Sequence, residues 1–403
     1  MLSKPIRSHP LTRSNLAEKA DRWLLHAWEK EWLSVPPLDP DTLWKEAARP
    51  LGDRAHDAEH GGRPDVDIRD FRERLNRLTA ALADEADLNA LGRAMAHGQL
   101  VRVIRNRLRL GALWIDRPDL PRTPIAPPII VVGHMRSGTT RVHKLLAADP
   151  AHSHTRYCDG YHPLPGRFGL KRVASAVELG ALGAVNPWLQ NIHPMAPGEV
   201  EEELGWIGAA LHQSIYESQW HIPSFTAWAE TADPAPIYRE MDRILRTDAA
   251  TRGLADRPRV LKVPAFTEDL TTLAQQFPDA RLVVAQRDIN AVHRSAVSLV
   301  ANQMAVQSDA CELDWIEGEW RRKLALREDR MKRALDEWTG PVARLRFSAL
   351  NDDWEGEIRR AYRELGLTMT DRALKRMRRL MRASESGNHA AHSLQLARFA
   401  AQD

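Results

Sequence analysis

Apolar residues recur at helical spacing over residues 15–33, where Leu16, Ala20, Trp23, Leu24, Ala27 and Trp28 fall on one broad face, so the chain opens on a predicted amphipathic helix. Prolines and glycines crowd 34–64, among them Pro36, Pro37, Pro40, Gly61 and Gly62. That stretch reads as connection with one short helix at 41–48. Helical patterning resumes at Asp67 and runs to about Trp114, which makes residues 1–120 an all-helical extension.

The pattern changes at 121–128, where Pro121, Pro124, Pro127 and Pro128 close the helical part and the apolar run 129–132 follows. Further short strands are predicted at 259–263, 281–286 and 342–347. Helix-length segments such as 267–277 and 291–304 separate them. Short apolar strands alternating with helices predict an α/β fold, a parallel sheet covered on both faces, over 121–403. Ligands of such sheets sit beyond the carboxyl ends of the strands, so the residues just after each run carry the chemistry. An aromatic-rich insertion at about 155–235, with Trp188, Trp206, Tyr216, Trp220 and Phe225, suits either a wall around an apolar or ring-bearing ligand or core packing. The basic stretch 375–382 is expected to be a solvated helix face.

After the first strand comes Gly133-His134-Met135-Arg136-Ser137-Gly138-Thr139-Thr140, then a helical pattern over 138–148. Strand, glycine-bearing turn and helix in this order make an anion site. Backbone N–H groups point inward, the helix adds its positive end, and Arg136, Thr139 and Thr140 add side-chain donors. The spacing imitates G-x-x-x-x-G-K-[ST], but Thr139 replaces the lysine, which argues against a conventional NTPase.

RSGTT at this position resembles the 5'-phosphosulfate loop of the sulfotransferases that use 3'-phosphoadenosine 5'-phosphosulfate (PAPS). Two further stretches carry the resemblance. Arg287 followed eight residues later by Ser295 is similar to that family's grip on the 3'-phosphate, and PRVLKVPAF looks like the strand with its catalytic lysine, here Lys262. The resemblance implies a P-loop-like fold in which Arg136, Ser137, Gly138, Thr139, Thr140, Arg287 and Ser295 bind PAPS. It further implies that Arg136 and Lys262 stabilise charge, that no metal is needed, and that PAP is released. Pro264 stands where many relatives place a histidine base. Asp159 is the replacement expected from branches lacking that histidine, with His162, His193, Glu199, Glu201, Glu202 and Glu203 as rivals. The segment His193-Pro194-Met195 and the acidic run after it resemble a bacterial branch of the family. The similarity begins near Asp67, and residues 387–399 match the family's C-terminal pattern only loosely. The implied acceptor is a hydroxyl of a small molecule, lipid or glycan.

Composition narrows the alternatives. With 28% charged and 43% hydrophobic residues the chain is globular, and a net charge of +3 over 403 residues offers no support for nucleic-acid binding. Cys158 and Cys311 alone cannot build a disulfide framework or a cysteine zinc site, which favours a reducing, cytoplasmic setting. No stretch reaches 18 uninterrupted apolar residues. The competing readings are a nucleotide kinase or NTPase, opposed by the missing loop lysine, and a catalytically retired nucleotide-binding interaction protein, opposed by Arg136, Lys262, Arg287 and Ser295 standing together.

Overall fold

Ile129–Val132 (β1) has no polar position, and all four residues are completely enclosed, as a strand covered on both faces requires. A computed structural model, which describes residues 7–384, places it at the centre of a five-stranded sheet. The other strands are Ser153–His154 (β2), Arg259–Lys262 (β3), Arg281–Gln286 (β4) and Val342–Arg346 (β5). Their order is β2-β3-β1-β4-β5, with every neighbouring pair parallel. The expected α/β architecture is therefore present.

Side-chain alternation divides the core into two layers. Ile130, Val132, Leu261, Leu282 and Val284 pack on the helix Ala235–Arg252 through Ile237, Met241 and Ile244. Ile129, Val131, Val260 and Val283 face the other way, onto Val142 and Leu145 of the helix Thr139–Ala147 and Ile358 of the helix Trp354–Glu364. Full burial of such side chains contributes roughly 1.5–3 kcal/mol each. β2 escaped the periodicity because it is two polar residues long, Ser153 and His154, with no apolar alternation to read.

Three helical segments differ from expectation. The first helix spans Asn15–Glu29 and stops short of Leu33, because Glu31 takes a φ of 56° that a right-handed helix does not tolerate. The patterning over 67–114 resolves into two helices, Asp65–Asp84 and Ala90–Asp116. Asp87, at φ 41°, turns the chain between them, and Asn89 caps the second by accepting the Gly92 N–H at 2.7 Å. The segment expected to be helical over 267–277 is a tight turn, Pro264–Thr267, followed by the shorter helix Leu270–Gln276. The basic stretch 375–382 lies on the helix Asp371–Ser384, with Ala373, Leu374 and Met377 buried and Lys375, Arg376 and Arg379 exposed, as anticipated. Residues 387–399 lie outside the described residues.

The N-terminal helices do not stand apart from the rest. Leu43, Phe71, Leu78 and Leu100 share one cluster with Leu211, Tyr216, Trp220 and Phe225, so the extension and the middle of the chain complete a common core. A buried ion cluster bolts them together: Arg63 donates to Glu240 from Nε (2.9 Å) and Nη2 (2.7 Å), and Arg107 approaches the same carboxylate to 3.5 Å. Burial alone would raise the Glu240 pKa, yet Arg63 and Arg107 hold it at about 2. Among the described residues, no helix is long and apolar enough to cross a membrane.

Candidate active site

The sheet order sets the site, because β3, β1 and β4 are adjacent and end on the same side. From β1 the chain enters the loop Gly133–Thr140, whose backbone needs its glycines. Gly133 has φ 148°, and a Cβ there would meet the Ala285 carbonyl oxygen at 2.5 Å. Gly138 has φ 94°, and a Cβ would strike the Phe347 ring at 2.7 Å. Gly138 opens the helix Thr139–Ala147, so the first turn's amides lie at the carboxyl end of the central strand. Ser137 spends its hydroxyl on the His134 carbonyl at 2.6 Å, holding the turn closed.

Arg136 takes a left-handed φ of 67°, and its guanidinium is held on two sides. Nε donates to Ser295 Oγ at 2.9 Å and Nη1 to the Ile192 carbonyl at 2.8 Å. Arg287, just past β4, donates to the Arg136 carbonyl at 2.8 Å and lies over the Phe347 ring at 4.2 Å. Burial lowers the pKa of both arginines, and Arg287 lowers that of Arg136 further. Arg136, Arg287 and Ser295 are thus brought together from two strand ends and the helix Ile289–Gln307. Phe347, at the end of β5, was not singled out from sequence. Its place at the carboxyl end of a predicted strand was the available signal.

Lys262 closes β3 with a side chain that is 2% exposed, and Nζ donates to Thr140 Oγ1 at 3.2 Å and to the Glu202 carboxylate. The acidic run reaches this point by pairing with the chain just after β2. Tyr157 N–H donates to the Glu199 carbonyl and Glu201 N–H to the Thr155 carbonyl. Glu203 is fully buried, and its Oε2 accepts the Lys262 N–H at 2.7 Å. Burial pushes its carboxyl up to about 7, with the Lys262 N–H and Arg259 opposing the rise.

Glu201 accepts from His193 Nε2 at 3.2 Å. Burial opposes both charges, but each partner prevails over it: Glu201 is held at about 2 and the His193 pKa is raised. Ligand atoms of His193, Glu201 and Glu202 all lie within 4.8 Å of one another, close enough for a cation. The Lys262 ammonium already supplies positive charge to that group.

Asp159 sits elsewhere. Its carboxylate is paired with Arg156, with Lys171 at 3.2 Å and with Arg252 at 3.5 Å. Burial favours its protonated form, but the three cations lower its pKa, which leaves it a weak acceptor of protons. His162 faces Glu178 at 3.3 Å, and Glu199 is exposed. Trp206, Tyr216, Trp220 and Phe225 are enclosed in the core, so packing accounts for them.

Comparison with known proteins agrees with this geometry. An ω-hydroxy-β-dihydromenaquinone-9 sulfotransferase, Stf3, of Mycobacterium bovis is 26% identical over 281 residues, covering 67% of this chain and 70% of the relative, and its Mycobacterium tuberculosis counterpart matches equally. The crystal structure of sulfotransferase STF1 from M. tuberculosis superposes with a TM-score of 0.74 at 26% identity, over 90% of this chain and 98% of that one. Sulfotransferase STF9 from Mycobacterium avium shares the fold, with a TM-score of 0.75 at 21% identity, over 85% and 87% of the two chains. Residues 127–371, from the prolines before β1 to the start of the last described helix, match the sulfotransferase family, and the chain belongs to it.

Proposed function

We propose that the protein transfers a sulfuryl group from PAPS to the hydroxyl of an apolar lipid alcohol. The observation that carries this reading is the meeting of Lys262 with Thr140 and Glu202 beside the Gly133–Thr140 loop, since it sets a cation and a carboxylate next to an anion cradle. PAPS, when bound, supplies an activated sulfuryl group and two phosphate-bearing ends. The residues present suit it: the loop amides and Arg136 for the 5' end, Arg287 and Ser295 for the 3'-phosphate.

Lys262 stabilises charge at the reacting centre, and Glu202 takes the acceptor's proton as the new O–S bond forms and the old S–O bond to the phosphate breaks. Glu202 replaces Asp159 in this role because its carboxylate touches Lys262, whereas the Asp159 carboxylate is taken up by Arg156, Lys171 and Arg252. His193 and Glu201 hold the acidic run in place as an ion pair. The lipid character of the acceptor follows the relative whose substrate is a hydroxylated menaquinone.

Turnover of PAPS with long-chain and polyprenyl alcohols tests the activity, and two variants test the base. Glu202→Gln should lower kcat by about 10²–10⁴ while leaving PAP binding in place. Asp159→Asn should retain most of the turnover. The reverse ranking would return the base to Asp159, and sulfation of soluble sugars in preference to lipid alcohols would overturn the acceptor class.

A further inference from the structure

The helix Phe168–Val185 joins the Asp159 turn to the His193 segment and shows solvent an apolar face that the fold leaves uncovered. Leu170, Val173 and Val177 are 68%, 63% and 68% exposed, at spacings of three and four. Ala174, Ala181 and Ala184 continue the same stripe, while the buried residues, Ser175 and Leu179, lie on the opposite side. Over the helix's length of about 27 Å this is a continuous apolar strip rather than scattered surface residues.

The charges around it are sorted. Glu178 is turned inward, 3.3 Å from His162 and 3.7 Å from Arg102, and Lys171 reaches Asp159. Arg167, at the head of the helix, is exposed, whereas Arg172 falls seven residues before the buried Leu179, on the side away from the strip. An apolar strip with an outward cation, Arg167, at one end complements an anionic lipid surface, where the strip enters the acyl boundary and the arginine meets headgroups.

The carboxyl end of the helix leads to the site. The chain beyond Val185 reaches Ile192, whose carbonyl accepts from Arg136 at 2.8 Å. Ser14 at the head of the helix Asn15–Glu29 donates to the Val185 carbonyl at 2.6 Å, and that helix leaves Leu16 and Trp23 exposed one heptad apart.

We propose that Phe168–Val185 is the face by which the protein rests on an anionic bilayer, so that a membrane-held alcohol is presented to the site. The inference rests on the lipid-acceptor reading above, but its test needs neither donor nor acceptor. The full chain is sedimented with vesicles of phosphatidylcholine alone and of phosphatidylcholine with phosphatidylglycerol. It should partition to the mixed vesicles. Leu170→Glu, Val173→Glu and Val177→Glu combined should weaken partitioning at least ~10-fold. Arg167→Glu should reduce the preference for anionic lipid.

An unchanged melting temperature and an intact PAP-induced rise in the triple variant would show that fold and donor site survive. Failure of the parent chain to sediment, or equal sedimentation of the triple variant, would overturn the proposal. So would a dimer, seen by ultracentrifugation, that the triple variant splits, since the strip would then be covered by a second copy. If vesicle binding behaves as expected and no lipid alcohol is sulfated, the docking face stands and only the acceptor class falls.

Discussion

Replacing Glu203 by glutamine should remove a pH dependence that the wild-type protein carries. Glu203 is 0% exposed and held at about 7, against 4.5 for a free glutamate side chain. Between those values the folded state keeps a proton that the unfolded chain has released. Stability therefore falls as pH rises through the window, and the protonated carboxyl's contribution is fully present only below about pH 4.5. At 1.36 kcal/mol for each pH unit, the loss is about 3 kcal/mol by pH 7. Glutamine is neutral throughout and keeps an oxygen for the Lys262 N–H. The stability of Glu203→Gln relative to wild type should thus climb by about 3 kcal/mol from pH 4.5 to just above 7. Urea unfolding followed by tryptophan fluorescence over a pH series at fixed ionic strength measures the difference. Glu201 and Glu240, both held at about 2, act in the opposite sense at lower pH and cancel between the two proteins. A difference that stays flat across the window would mean that Glu203 is ionised when folded, and would refute the reasoning.

Three further outcomes are expected. Arg287→Ala should weaken PAP by about 1.5–3 kcal/mol in calorimetry and leave AMP nearly unchanged, because only PAP carries a 3'-phosphate; equal losses would remove Arg287 from that role. Lys262→Ala should lower kcat by about 10²–10³ with PAP affinity little altered, and a matching fall in affinity would make it a donor-binding residue instead. Glu240→Gln leaves Arg63 and Arg107 buried without their counter-charge and should cost about 3–5 kcal/mol in chemical denaturation, whereas a loss under 1 kcal/mol would show the cluster to be solvated.

The parts of the fold readable from sequence were those with local signatures. β1 and β4 are apolar runs long enough to stand out, and the loop after β1 announces itself through Gly133 and Gly138. β2 is two polar residues whose strand conformation exists only because Arg259 and Val260 lie alongside, so no local pattern encodes it. The same distinction separates the site's two halves. Arg136, Arg287 and Ser295 follow predictable strand ends and helix starts, and they meet. The choice among the acidic residues depends on long-range pairing of 199–201 with 155–157, which brings Glu202 to Lys262 while Arg252, from a distant helix, helps neutralise Asp159. Nothing in the spacing of Asp159 reports that.

The register of the central strands has a consequence for synthesis. Ile129 pairs with Val260, so β1 leaves the ribosome with its β3 neighbour still about 130 residues away, and β4 later still. At roughly 5–20 residues per second that is a wait on the order of ten seconds. The N-terminal helices share the delay, since their cluster is closed by Leu211, Tyr216 and Phe225. An emerging chain that ends before β3 therefore exposes an unpaired Ile-Ile-Val-Val segment with no partner on either edge. Closure of the sheet is late and non-local, and the nascent β1 stays exposed until β3 and β4 emerge.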